Sequence, residues 1–117
     1  MQIFEISLLL DIYGQLLTDR QFEIMDMYYN NDYSLGETAE NLDISRQAVN
    51  DSIKKSIKLL NGYESKLGLL KRHREEQQAL KEIDADLSRI MNAKLDNETV
   101  KNLEHARNKL HDLLEQT

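Results

Sequence analysis

Arg46, Asn50 and Lys54 are spaced four residues apart, so on a helix they form one row, with Gln47, Asp51, Lys55 and Lys58 beside it. Arginine, glutamine and asparagine can make paired hydrogen bonds to guanine or adenine edges in a major groove. The three lysines suit phosphates, and the amides of a helix that starts behind Ser45 can take another. Asp51 would repel phosphate or accept from a cytosine amino group. The chemistry open to Ser45, Arg46, Gln47, Asn50, Asp51, Lys54, Lys55 and Lys58 is therefore recognition of a polyanion. The bland alternative is a row of lysines that only keeps a helix soluble.

Bond-making chemistry has no comparable candidates. The chain has no cysteine, which removes disulfides, a thiol nucleophile and a Cys-based zinc site. His105 and His111 lie six residues apart, on different faces of a helix, and together with His73 they are expected at the surface. Glu75, Glu76, Asp84 and Asp86 look like solvating carboxylates. Gly14, Gly36, Gly62 and Gly68 are isolated, so no glycine-rich loop cradles a phosphate. Tyr28, Tyr29 and Tyr33 could stack on unpaired bases, but beside Met25 at helical spacing they are expected to fill the core. No catalytic residue, metal site or cofactor is expected.

The elements that would position the row are helices. Among 117 residues there is no proline, which favours unbroken helices over a loop-rich or β-sandwich architecture. Ile6, Leu9, Leu10, Tyr13 and Leu17, with Ile3 and Leu16 widening the stripe, predict a first helix over about Gln2 to Leu16. Thr18 and Gln21 form a capping box, with Leu17 and Phe22 at the staple positions. A second helix then runs to about Tyr29, burying Phe22, Met25 and Tyr28 or Tyr29, and Asn30-Asn31-Asp32 ends it. Ser34 and Glu37 repeat the box and open a short helix with Leu35, Thr38, Ala39 and Leu42 inward. Ser45 caps a longer one, with Val49, Ser52 or Ile53, Ser56, Ile57 and Leu60 buried and the stripe continuing through Tyr63, Leu67 and Leu70.

Lys71–Gln78 lacks apolar residues and reads as a solvated helix or joint. Leu80, Ile83, Leu87 and Ile90 then form another stripe. Asp96 or Asn97 caps a last helix with Val100, Leu103, Ala106, Leu110 and Leu113 or Leu114 inward. The fold class is all-α, with a helix-turn-helix domain over 1–70 and a helical extension over 71–117 that could form a dimerisation hairpin.

The short helix, tight turn and basic helix make a helix-turn-helix. Close crossing demands a small residue on the first helix, where Ala39 stands. Val49 answers it from the second, with Ile44 in the turn. Asp43 occupies the turn position that glycine usually fills, and can adopt the left-handed backbone at some cost.

Charge is divided along the chain. Residues 1–45 carry −8, residues 46–74 carry +6 and residues 75–117 carry −4, for a net −6. A basic segment in an acidic frame can bind a polyanion in one orientation. The opening stretch Met1–Leu17 carries Glu5 and Asp11 and lacks a basic start, so it reads as neither a signal peptide nor a membrane span. A cytoplasmic protein is expected.

Leu17-Thr18-Asp19-Arg20-Gln21, then Tyr28 through Ala39, then Ile44-Ser45-Arg46-Gln47-Ala48-Val49-Asn50-Asp51 closely resemble the YlxM family. These are small bacterial proteins whose genes neighbour those of the signal recognition particle. The resemblance covers about Met1 to Leu70, and more distantly the segment is similar to region 4 of sigma factors. The family pattern often has Glu-Ile-Ala at Glu37-Thr38-Ala39, and usually glycine at Asp43. The resemblance implies a helix-turn-helix protein that binds nucleic acid and regulates, or acts in, the signal recognition particle pathway. Ser45, Arg46, Gln47 and Asn50 are the contact positions it carries over. The implied partners are DNA or the particle RNA and the targeting GTPase; a homodimer is expected separately, because one such module buries little surface and binds weakly. The competing reading is a protein-interaction adaptor for that GTPase, contacted through the acidic amino-terminal block, with the helix-turn-helix as scaffold.

Overall fold

The computed structural model describes residues 3–115, and no strand occurs among them. In chain order the helices are α1 (Ile3–Tyr13), α2 (Asp19–Met25), α3 (Leu35–Leu42), α4 (Arg46–Leu67), α5 (Leu69–Met91) and α6 (Asn97–Glu115). The expected start at Gln2 and the side chain of Ile3 lie outside the described residues. The chain divides into two compact units, Met1–Leu70 and Lys71–Thr117.

In the first unit α1, α2 and α3 all pack on α4. Its core joins Ile6, Leu9, Leu10 and Tyr13 of α1 to Leu17, to Ile24 and Met25 of α2, and to Val49, Ile53 and Leu60 of α4. Both capping boxes are present. Thr18 Oγ1 accepts from the Gln21 amide at 3.2 Å, Ser34 Oγ accepts from the Glu37 amide at 3.0 Å, and each partner side chain returns the bond.

Several expectations change in detail. The first helix stops at Tyr13 and tightens into a 3-10 turn over Gly14–Leu16, which turns Leu16 outward at 55% exposure. Phe22, expected inside, is 39% exposed and lies against Gly14, whose missing side chain makes room for the ring; Ile24 takes the inward place. The end of the second helix widens into a π-turn over Asp26–Asn30. There the Asn31 amide reaches the Asp26 carbonyl at 3.1 Å, the Asp26 carboxylate accepts from Asn30 at 2.8 Å, and Asp32 closes the turn at φ 57°.

α4 does not continue through Leu70. Gly68 stops it at φ 62°, Leu67 is left exposed, and α5 begins at once. Here Tyr13, 51 residues away in the chain from Glu64, supplies the join: its hydroxyl donates to Glu64 Oε1 at 2.7 Å. The Leu69 amide donates to the Tyr13 hydroxyl at 3.1 Å, and the Leu70 amide to the same Glu64 oxygen at 2.9 Å. The opening amides of α5, which no Ser, Thr, Asp or Asn caps locally, are thus satisfied by the core of the first unit. Burial, then the Glu64 carboxylate, pushes the Tyr13 hydroxyl pKa up.

Gly62, by contrast, sits inside α4 with nothing within 4 Å of where a side chain would begin. An interior helical glycine costs about 1 kcal/mol relative to alanine, and nothing packed in this fold offsets that cost.

In the second unit α5 and α6 form a helical hairpin. Leu110 is buried, and Leu80, Leu87, Met91, Val100, Leu103 and Leu114 are half-buried. The expected stripe Leu80–Ile83–Leu87–Ile90 is split: Ile83 and Ile90 are about half exposed. The inward face is rotated toward Asp84, which His111 Nε2 approaches to 2.8 Å and Arg107 Nε to 3.4 Å. Asp84 is therefore not merely solvating, and His111, half-buried on this carboxylate, is not a bare surface histidine. The His111 hydrogen bond, then the Arg107 and His111 charges, holds the Asp84 carboxyl below its usual range. Ala106 and Leu113 are exposed, and Asp96 caps α6 by accepting from the Thr99 amide.

Candidate nucleic-acid interface

The helix-turn-helix is built as the residue types require. Ala39 is 5% exposed and Val49 wholly buried, with Ile44 packed against the same core. Asp43 adopts φ 55°, ψ 47°. The Ile44 amide reaches the Ala39 carbonyl at 3.0 Å and the Asp43 amide the Glu40 carbonyl at 3.3 Å, the paired bonds of a Schellman ending. Asp43 can therefore stand where glycine is usual: the two bonds and the Ile44–Ala39 contact offset the strain of its left-handed backbone.

Val49, Ile53, Ser56 and Leu60 face the core from α4, which turns the opposite face outward. Arg46, Gln47, Asp51, Lys54, Lys55 and Lys58 are all exposed there; Asn50 is half-buried at the margin. Ser45 sits at the head of this face with its hydroxyl already engaged, accepting from the Ala48 amide at 3.0 Å. The Val49 amide is bonded to the Ser45 carbonyl, so helix geometry leaves the amides of Arg46 and Gln47 as the open first-turn donors.

Three features go beyond the row of residues singled out in the sequence. Gln47 Nε2 donates to Asp51 Oδ1 at 2.9 Å, one helical turn along. This bond ties the one carboxylate on the face to a neighbour; the i,i+4 Gln–Asp pattern was its signal in the sequence. The bond engages one of the two Nε2 hydrogens, leaving the other and Oε1 for a base edge.

Second, the Arg46 guanidinium packs over Gly36 in the first turn of α3. A side-chain carbon built on Gly36 would stand 2.8 Å from Nη2 and 3.1 Å from both Cζ and Nε. Arg46 thus occupies the space a side chain at Gly36 would need, while remaining exposed at the front of α4. Third, Lys66 extends the face beyond Lys58.

Acidic side chains border this face. Glu37, Glu40 and Asp43 line an open hollow with Arg46 beside the α3–α4 turn. Glu37 is held there by its capping bond to the Ser34 amide, which keeps its carboxyl pKa low. A polyanion is repelled on that side and attracted along α4, where Arg46, Lys54, Lys55, Lys58 and Lys66 make no ion pair among the described residues. No cluster of three or more potential metal-ligating side chains occurs among the described residues, and no helix of the structure is long and apolar enough to cross a membrane.

Comparison with known proteins agrees with this architecture. Residues 1–103 match the UPF0122 family, described as "Putative helix-turn-helix protein, YlxM / p13 like". A UPF0122 protein of Acetivibrio thermocellus is 45% identical over 114 residues, covering 97% of both chains. One of Thermoanaerobacter sp. is 47% identical over 107 residues, covering 92% of both. One of Clostridium perfringens is 46% identical over 89 residues, covering 76% of this chain and 80% of the relative. With an all-helical architecture, an Ala39–Val49 crossing and family agreement over most of its length, the chain belongs to the UPF0122, YlxM/p13-like family of helix-turn-helix proteins.

Proposed function

We propose that the protein is a nucleic-acid-binding regulator that works in the cytoplasm in signal recognition particle–dependent targeting, reading DNA or the particle RNA with the outward face of α4. The observation that carries this reading is the exposed set Arg46, Lys54, Lys55 and Lys58, without an ion pair among the described residues, on a helix whose opposite face is anchored by Val49 and Ile53. Ser45 orients the helix start, Arg46, Gln47 and Asn50 address base edges, the lysines take phosphates, and Asp51 selects against misplaced phosphate or accepts from cytosine. The pathway rests on the family resemblance alone. A single module of this kind buries only about 600–1,000 Å² of protein surface, which favours action as a homodimer. The exposed Ile83, Ile90 and Leu113 of α5 and α6 are available for pairing.

The test is a gel shift of full-length protein with duplex DNA and with the particle RNA across a salt series. Arg46→Glu with Lys54→Glu should abolish binding while helicity is kept, and the wild type should show a steep negative salt slope. Unchanged shifts in the variant, or a slope near zero for both ligands, overturn the reading. One observation supports the adaptor instead: Asp11, Asp19, Glu23, Asp32, Glu37, Glu40 and Asp43 are all exposed on the amino-terminal part of the first unit. Pull-down of the targeting GTPase without RNA, undiminished by the double variant, would favour it.

A further inference from the structure

α4 is 22 residues long, about 33 Å, whereas the major groove of B-DNA is only about 12 Å wide. If the amino-terminal turns read bases, the far half of the helix leaves the groove and meets the backbone beside it. That half carries an open hollow lined by Lys55, Lys58, Leu59, Gly62, Tyr63 and Lys66. Lys55, Lys58, Gly62 and Lys66 succeed one another at steps of three, four and four residues, so they lie along one face. The three lysines line the hollow together with Gly62, space over the glycine is open, and no carboxylate lines the hollow. Leu59 and Tyr63 form an apolar wall on one side.

We infer that this hollow is a second nucleic-acid subsite, in which a sugar–phosphate backbone crosses α4 at Gly62. Lys55, Lys58 and Lys66 hold its phosphates, and Leu59 and Tyr63 contact its sugar. The glycine accounts for itself here. It is unfavourable within a helix and unneeded for packing, but it lets a strand approach the helix backbone more closely than any side chain would permit. Charge selects the occupant: three lysines without a carboxylate fit a phosphodiester chain, and an acidic protein helix is the outcome the test must separate from it. The inference deepens the nucleic-acid reading and rests on it.

The experiment uses full-length protein with a mixed-sequence duplex DNA and a hairpin RNA, titrated across a salt series. Lys66→Ala should lower the salt slope by about 0.9 on the duplex, and weaken binding about eightfold at about 0.1 M salt, the value of one released counterion. Gly62→Leu should weaken binding by a similar factor while the thermal midpoint rises, because leucine favours the helix and its Cβ meets nothing within 4 Å. Arg46→Ala is the control for the reading face. If wild type binds and Arg46→Ala weakens it, but Lys66→Ala and Gly62→Leu leave affinity and slope unchanged, the subsite is overturned alone and the hollow belongs to a protein contact. If wild type binds neither probe with any salt dependence, both readings fall.

Discussion

Replacing Tyr13 with phenylalanine removes one oxygen from the join between α4 and α5 and nothing else. Tyr13 is 1% exposed, so water cannot readily replace what is lost. Two bonds disappear: the one donated to the Glu64 carboxylate and the one accepted from the Leu69 amide. A hydrogen bond to a charged group contributes about 1.5–3 kcal/mol and a neutral one about 1 kcal/mol, so the expected loss is about 3 kcal/mol. Urea unfolding followed by far-ultraviolet circular dichroism should show it as a midpoint lowered by about 1–2 M. In thermal unfolding a unit of this size should lose about 4–8 °C for each kcal/mol. The double-mutant cycle with Glu64→Ala isolates the pair, and a coupling of at least about 1 kcal/mol is expected. The alkaline limb is a second readout. The folded hydroxyl pKa is raised above its unfolded value, so the stabilisation is complete below about pH 10 and is lost as pH rises through the folded value. Tyr13→Phe should lack that limb. A midpoint shift below about 0.3 M together with zero coupling would refute the reasoning.

Two further outcomes are expected. Gly36→Ala should push the Arg46 guanidinium off the α3 backbone, since the new carbon would stand 2.8 Å from Nη2, and it should raise stability by up to about 1 kcal/mol through helix propensity. Nucleic-acid affinity should fall nonetheless, and a thermal scan beside a gel shift checks both signs; unchanged affinity means that the packing does not set where Arg46 points. Asp84→Asn should flatten the acid limb of unfolding of the second unit. The carboxyl pKa is depressed in the folded state, so its contribution is present above the ordinary carboxylate range and lost as pH falls through the lowered folded value. An acid titration indistinguishable from wild type would show that His111 and Arg107 do not stabilise this carboxylate.

Local chemistry made most of the first unit legible in the sequence. Ser34 with Glu37 and Thr18 with Gln21 announce helix starts because a hydroxyl and a returning side chain satisfy orphan amides within a few residues, and Ser45 does so through its hydroxyl alone. Ala39 and Val49 announce the crossing because only a small residue lets two backbones approach. The misses at Gly68 and in α5 have a common cause, which is dependence on partners distant in sequence. Nothing near Gly68 indicates that Tyr13 and Glu64 will cap the next helix, so the stripe through Leu67 and Leu70 reads as continuous. The rotation of α5 toward Asp84 depends on Arg107 and His111, more than twenty residues away, and periodicity alone assigns Ile83 and Ile90 inward. At the interface, spacing could align Arg46, Asn50 and Lys54, yet it could not show that Arg46 lies on Gly36.

The four glycines divide along the same line. Gly14 and Gly68 serve the fold: one seats the Phe22 ring, and the other ends α4 in a left-handed turn. Gly36 and Gly62 are helical, and at neither does the backbone demand glycine. One lies under the Arg46 guanidinium beside the acidic hollow, and the other lies open between lysines along the face assigned to nucleic acid. Helix stability alone would place alanine at both positions, because each glycine weakens its helix without a compensating contact in the core. Glycine at these two places is therefore better explained by what must come close to α4 than by what holds α4 together. Combining Gly36→Ala with Gly62→Ala should yield a chain that is harder to unfold and poorer at binding.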